Sequence, residues 1–172
     1  MGFSFMVSDA EIETKYESSK NKLLQQHERI KLPRLAENIR FNPNYIMIDT
    51  EESSSWDAVK QSRLIESLVI NIPVPPIVIY SLRYGSHVVI DGKERLRAIA
   101  DFYSNKLALT GLEVKPELDG CTYVTLPAFF KALLDRKSLT FITIIPDSSF
   151  SPGEIAKLIN IVAKRLKNKR DA

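Results

Sequence analysis

The chain has 172 residues, 44% of them hydrophobic and 26% charged, enough for one domain with a real core. One cysteine, Cys121, excludes an internal disulfide, and two histidines, His27 and His87, offer no metal-ligand cluster at usable spacing. The net charge of +3 sits in the tail, where Lys164, Arg165, Lys167, Lys169 and Arg170 face only Asp171, so the rest of the chain is near neutral and argues against a broad nucleic-acid-binding face.

Met1 to Val7 is apolar but has neither a basic leader nor a long apolar core, and the longest apolar runs are too short to span a bilayer. A cytoplasmic protein is expected. Residues 8 to 29 are polar and free of Gly and Pro, which predicts a weakly amphipathic helix capped by Asp9. We expect residues 1–29 to form a helical arm and residues 30–172 a single domain ending in a basic helix. Pro33 and Pro43 punctuate an irregular stretch, with a short strand between Ile39 and Ile48. Asp57 caps a helix over about 58 to 70 with Ile65, Leu68 and Val69 inward, and Pro73, Pro75 and Pro76 stop it.

Two short strands follow, Ile77 to Tyr80 and His87 to Ile90, joined through Gly85 as a hairpin. A helix from about 93 to 104 presents Leu96, Ile99, Ala100 and Tyr103 as its stripe. Leu126 to Arg136 reads as helix and Leu139 to Ile145 as strand. Ser151-Pro152-Gly153-Glu154 is a capping box that opens a last helix reaching about 168. Strands and helices intermix without a regular βαβ period, which predicts an α+β domain.

The chemistry concentrates at Asp91-Gly92-Lys93-Glu94-Arg95, where a β-branched strand turns into a helix. Backbone N–H groups at a helix start attract anions, and arginine adds a planar fork suited to phosphate. Asp91 is a candidate to hold magnesium or orient a water, and Glu94 is a candidate base. Gly92, Lys93 and Arg95 are candidate phosphate contacts, with Ser62 and Arg63 of the preceding helix as additional ones. Each has a structural alternative. Asp91 and Glu94 also fit a capping box, Gly92 a plain turn, Arg95 a salt bridge to Asp101 or Glu66, and Ser62 and Arg63 a solvated face. Arg97 lies off Arg95's face and reads as solvated.

Three segments in order carry a family resemblance: Gln61 to Leu68, Asn71 to Ile77 and Val89 to Leu96. Together they resemble the N-terminal domain of GmrSD-type, modification-dependent restriction enzymes, over about residues 30 to 168. Leu109 to Glu113, Leu126-Pro127 and Asp135-Arg136-Lys137 extend the likeness. The resemblance implies a ParB/sulfiredoxin-like fold, a small mixed sheet flanked by helices, here with an added N-terminal helix. It further implies binding of a nucleoside triphosphate at an Asp-Gly-Gln-Gln-Arg motif, with hydrolysis in some members, so an NTPase is a candidate activity, and a part in phage defence. With the magnesium candidate Asp91, the expectation is a triphosphate-binding regulatory or sensor domain with magnesium. Asp91, Gly92 and Arg95 match that motif, whereas Lys93 and Glu94 replace its glutamines. The family's Tyr-Gln-Arg reads Tyr45-Ile46-Met47 here, Trp56-Asp57 is kept, and a later Arg-Leu-Asn ends in Lys167. Lys93 stands where the sulfiredoxin branch needs cysteine, so that activity is not expected. There is too little chain for a nuclease domain, so a nuclease is expected on a separate partner subunit. The alternatives are a non-catalytic protein-interaction module of the same fold and a DNA-binding accessory protein using the basic C-terminal helix.

Overall fold

The computed structural model describes residues 8–18, 23–42, 46–47, 56–81, 86–146 and 150–168. Its core is a five-stranded mixed sheet with helices on both faces, the α+β architecture expected. The elements run α1 (Asp9–Ser18), β1 (Leu23–Lys31), α2 (Leu32–Phe41), β2 (Ile46–Met47), α3 (Ala58–Val69), β3 (Ile77–Ser81), β4 (His87–Asp91), α4 (Lys93–Tyr103), α5 (Ala128–Asp135), β5 (Ser138–Pro146) and α6 (Pro152–Asn168). Strand order is β1-β5-β3-β4-β2. β1 pairs antiparallel with β5, β5 parallel with β3, β3 antiparallel with β4, and β4 parallel with β2.

Two segments differ from the sequence expectation. The helix expected over residues 8 to 29 ends at Ser18, and Leu23–Lys31 is an edge strand. Its Gln-Gln-His-Glu-Arg centre carries no alternating pattern because those side chains are exposed. Backbone pairing along the whole of β5, from Leu23 opposite Pro146 to Lys31 opposite Ser138, holds it in place. The stretch after Pro33 is not irregular but helical. Pro33 lies in the first turn of α2, where its missing N–H costs nothing, and Leu32, Leu35 and Ala36 are buried.

Side-chain alternation along β3 divides the interior in two. Ile77 and Ile79 join Val89, Phe141 and the inner faces of α2 to α5 in the main core. Val78 and Tyr80 face the other way, where Ile144 and Ile90 meet Ile155, Ile159, Val162 and Leu166 of α6. The capping box at Ser151 forms as expected: Ser151 N–H and hydroxyl donate to Glu154 at 2.8 and 2.6 Å.

α3 and α4 end alike. Asn71 (φ 67°) and Asn105 (φ 60°) take left-handed conformations, and the next residues, Ile72 and Lys106, donate backward to Ser67 O and Asp101 O at 2.8 Å each. These are Schellman caps, so asparagine rather than the prolines beyond it terminates α3. Gly85 of the hairpin lies outside the described residues.

Candidate functional site

The β4–α4 corner is built around Gly92. It caps α4 with φ 104°, a left-handed conformation, and as glycine supplies no capping side chain. The capping box expected from Asp91 and Glu94 therefore does not form. A backbone turned left at the cap aims both carboxylates elsewhere. A Cβ on Gly92 would stand 2.4 Å from Ile77 Cδ1 and 3.1 Å from an Arg95 guanidinium nitrogen. Close packing and handedness both demand glycine here.

Arg95 is inside the protein, 4% exposed. One guanidinium nitrogen donates to the Pro75 carbonyl, and the other lies 2.7 Å from Asp91 Oδ2. Its ion-pair partner is thus Asp91, one helical turn back, rather than Asp101 or Glu66. The pair braces the end of β4 against the proline loop that leads into β3.

Glu94 lies between two helix starts. Its carboxylate accepts the Trp56 N–H at 3.1 Å and pairs with Arg97 at 3.0 Å. Arg97 is therefore ion-paired instead of simply solvated. Trp56 O accepts from Gln61 Nε2, and Asp57 caps α3 by accepting the Lys60 N–H at 2.7 Å. Trp56-Asp57 and the first turn of α4, far apart in sequence, meet through this one carboxylate. Lys93, half-buried, is the cation at the first position of α4.

Ser62 and Arg63 bond away from this corner. Ser62 is fully buried; its hydroxyl donates to Ala58 O and accepts the Thr110 N–H at 3.0 Å. Arg63, exposed, pairs with Glu113 at 2.8 Å. Ile46 and Met47, the residues in the Tyr-Gln-Arg position, form β2 beside His87 and Val88 of β4. Tyr45 is outside the described residues. Lys164 and Arg165 are exposed on α6, while Lys169 and Arg170 fall outside the description.

Two polar clusters were missed by sequence reasoning. Glu66 is 6% exposed and accepts three backbone N–H groups, from Glu113, Val114 and Lys115, at 3.2, 2.8 and 2.7 Å. Burial pushes its carboxyl up, but these bonds and then the Arg63 charge hold it below the usual value. An acid on the apolar stripe of α3, four residues from Ser62 and next to Ile65, was the available signal. Tyr103 and Tyr123 both donate to Asp135, at 2.8 and 2.9 Å. Burial first, then the bond to Asp135, raises Tyr103 far above its ordinary value and pushes Tyr123 up to about 12.

The Glu66 cradle makes a testable contribution to stability. Glu66→Gln presents an NH₂ group to N–H donors, and we expect a loss of about 2–4 kcal/mol at pH 7. The carboxyl titrates lower folded than unfolded, so its contribution is complete above the ordinary value of 4.5 and lost as pH falls through the folded value. Urea unfolding at pH 7 and at pH 3 should show the gap between wild type and variant narrowing in acid. Equal midpoints at pH 7 would refute the role.

Among the described residues, no group of three or more His, Cys, Asp or Glu side chains is arranged for a metal ion, and no helix is long and apolar enough to cross a membrane. The corner defines a small α+β domain in which a glycine-capped helix start is tied to a Trp-Asp helix start. Residues 52–171 match the family model of the GmrSD restriction endonuclease N-terminal domain, and the chain belongs to that family. The matched segment begins just before Trp56, leaving α1, β1, α2 and β2 ahead of it. No curated protein and no solved structure matched the sequence.

Proposed function

We propose that the protein is a nucleoside-triphosphate-binding regulatory or sensor component of a restriction-type phage-defence system. Family membership supports the restriction context. The observation that carries the nucleotide reading is the start of α4: a left-handed glycine at the cap and Lys93 at the first helical position. A helix N-terminus left in this form suits a phosphate, and a lysine beside it adds a point charge. In this reading Lys93 and the first turn of α4 meet the phosphates, and Arg95 and Asp91 act as the brace that shapes the corner. Asp91 is held in its pair with Arg95, so magnesium, when bound, would be carried by the phosphates and would supply charge neutralisation. Hydrolysis forms no part of the proposal, because the site's Asp91 and Glu94 carboxylates are engaged with Arg95, Arg97 and the Trp56 N–H.

That same engagement favours a second reading, a protein-interaction module that keeps the fold without the ligand. Calorimetric titration with the four common ribonucleoside triphosphates, with and without magnesium, decides between them. We expect binding with Kd below about 1 mM, weakened at least tenfold by Lys93→Gln. Folded protein that binds none of the four supports the interaction module instead.

A further inference from the structure

The Asp135-Arg136-Lys137 segment has no role in the β4–α4 corner, yet it enters a second concave surface. A pocket of about 320 Å³ opens between the 71–74 turn and the paired ends of β1 and β5. Arg29, Arg136 and Lys137 line it together with Asn71, Ser138 and Thr140, and no carboxylate is among its lining residues. We propose that this pocket binds a phosphate group, carried either by a small nucleotide-like ligand or by a nucleic-acid strand.

The fold brings the cations together from separate elements. The β1–β5 register sets Arg29 opposite Thr140, and the α5–β5 junction supplies Arg136 and Lys137 beside it. The acid that precedes them, Asp135, is turned away into the hydroxyls of Tyr103 and Tyr123. It leaves the positive charge of its two successors uncompensated on this side. Lys137 is fixed by a 2.7 Å bond from its Nζ to Asn71 Oδ1, on the left-handed cap of α3. Arg29 and Arg136, both exposed, have no carboxylate partner among the described residues. Like charges drawn together without an acid repel one another, and a bound anion is the natural counter-charge. Two guanidinium forks match phosphate geometry, the Ser138 and Thr140 hydroxyls add donors, and the volume falls within the range of small-ligand sites.

The site is separate from the corner, so the test leaves Asp91 to Arg95 intact. Arg29→Gln/Arg136→Gln changes two exposed residues, and its circular dichroism and thermal unfolding should match wild type. The probes are sodium pyrophosphate, followed by calorimetry, and a fluorescent DNA duplex, followed by anisotropy across a salt series. We expect wild type to bind at least one probe and the double variant to lose at least tenfold in affinity for it. Loss confined to the duplex, with a salt dependence shallower by about 1 per arginine removed, assigns a nucleic-acid strand. Loss of pyrophosphate binding assigns the small ligand. Equal affinities of wild type and variant for both probes, or no binding of either by wild type at about 1 mM, overturns the site. Retention of triphosphate binding by the double variant keeps this outcome distinct from that of the corner.

Discussion

Gly92→Ala is expected to destabilise the protein by about 2–5 kcal/mol. The left-handed conformation at φ 104° costs a residue with a Cβ about 1–2 kcal/mol. The new methyl must also displace the Ile77 side chain from 2.4 Å, an overpacking cost of about 1–3 kcal/mol. For a chain of this length the melting temperature should fall by roughly 5–15 °C. Gly120→Ala is the internal control. Gly120 has φ 82° but nothing within 4 Å of a built Cβ, so only the conformational cost remains. Thermal unfolding of both variants separates the two contributions. If Gly92→Ala melts no lower than Gly120→Ala, the close approach to Ile77 is not a constraint.

Replacing Arg95 with methionine should cost about 3–5 kcal/mol, because it takes the guanidinium from a largely buried carboxylate. The side chains of Arg95 and Asp91 are 5% and 14% exposed, so solvent does little to screen their pairing. The Pro75 carbonyl loses its donor as well. The double substitution Asp91→Asn/Arg95→Met removes the carboxylate charge as well and should be less unstable than Arg95→Met alone. Guanidinium unfolding at pH 7 measures both. An Arg95→Met variant within 1 kcal/mol of wild type, a threshold of roughly one ordinary hydrogen bond, would show that the brace contributes little.

These outcomes bear on what the sequence discloses. α3 and α6 were legible because their starts carry capping residues at Asp57 and Ser151, and their apolar positions repeat at helical spacing. The β3–β4 hairpin was legible from two β-branched runs. β1 was not, since an edge strand held by its backbone leaves no pattern in exposed side chains. α2 was hidden by Pro33, whose position in the first turn makes it compatible with a helix.

At the corner, residue types were readable but directions were not. Asp91-x-x-Glu94 has capping-box spacing, yet the left-handed glycine between strand and helix redirects both side chains. Arg95 reads as an exposed cation until it is aligned with Ile99 and Phe102. These lie four and seven positions on, and all three are buried. The expected stripe through Ala100 and Tyr103 is rotated from the buried one, and both of those residues are only half-buried.

The two faces of the sheet differ in how firmly they are covered. Helices α2 to α5 share one continuous core, whereas α6 rests on a small separate cluster around Val78, Tyr80 and Ile144. Opening of α6 alone exposes little apolar surface compared with unfolding the rest, which places it at the low-energy end of local unfolding. α6 is thus expected to open before the opposite core does, and because it covers Ile90 of β4, its opening would bare the strand that leads into the β4–α4 corner.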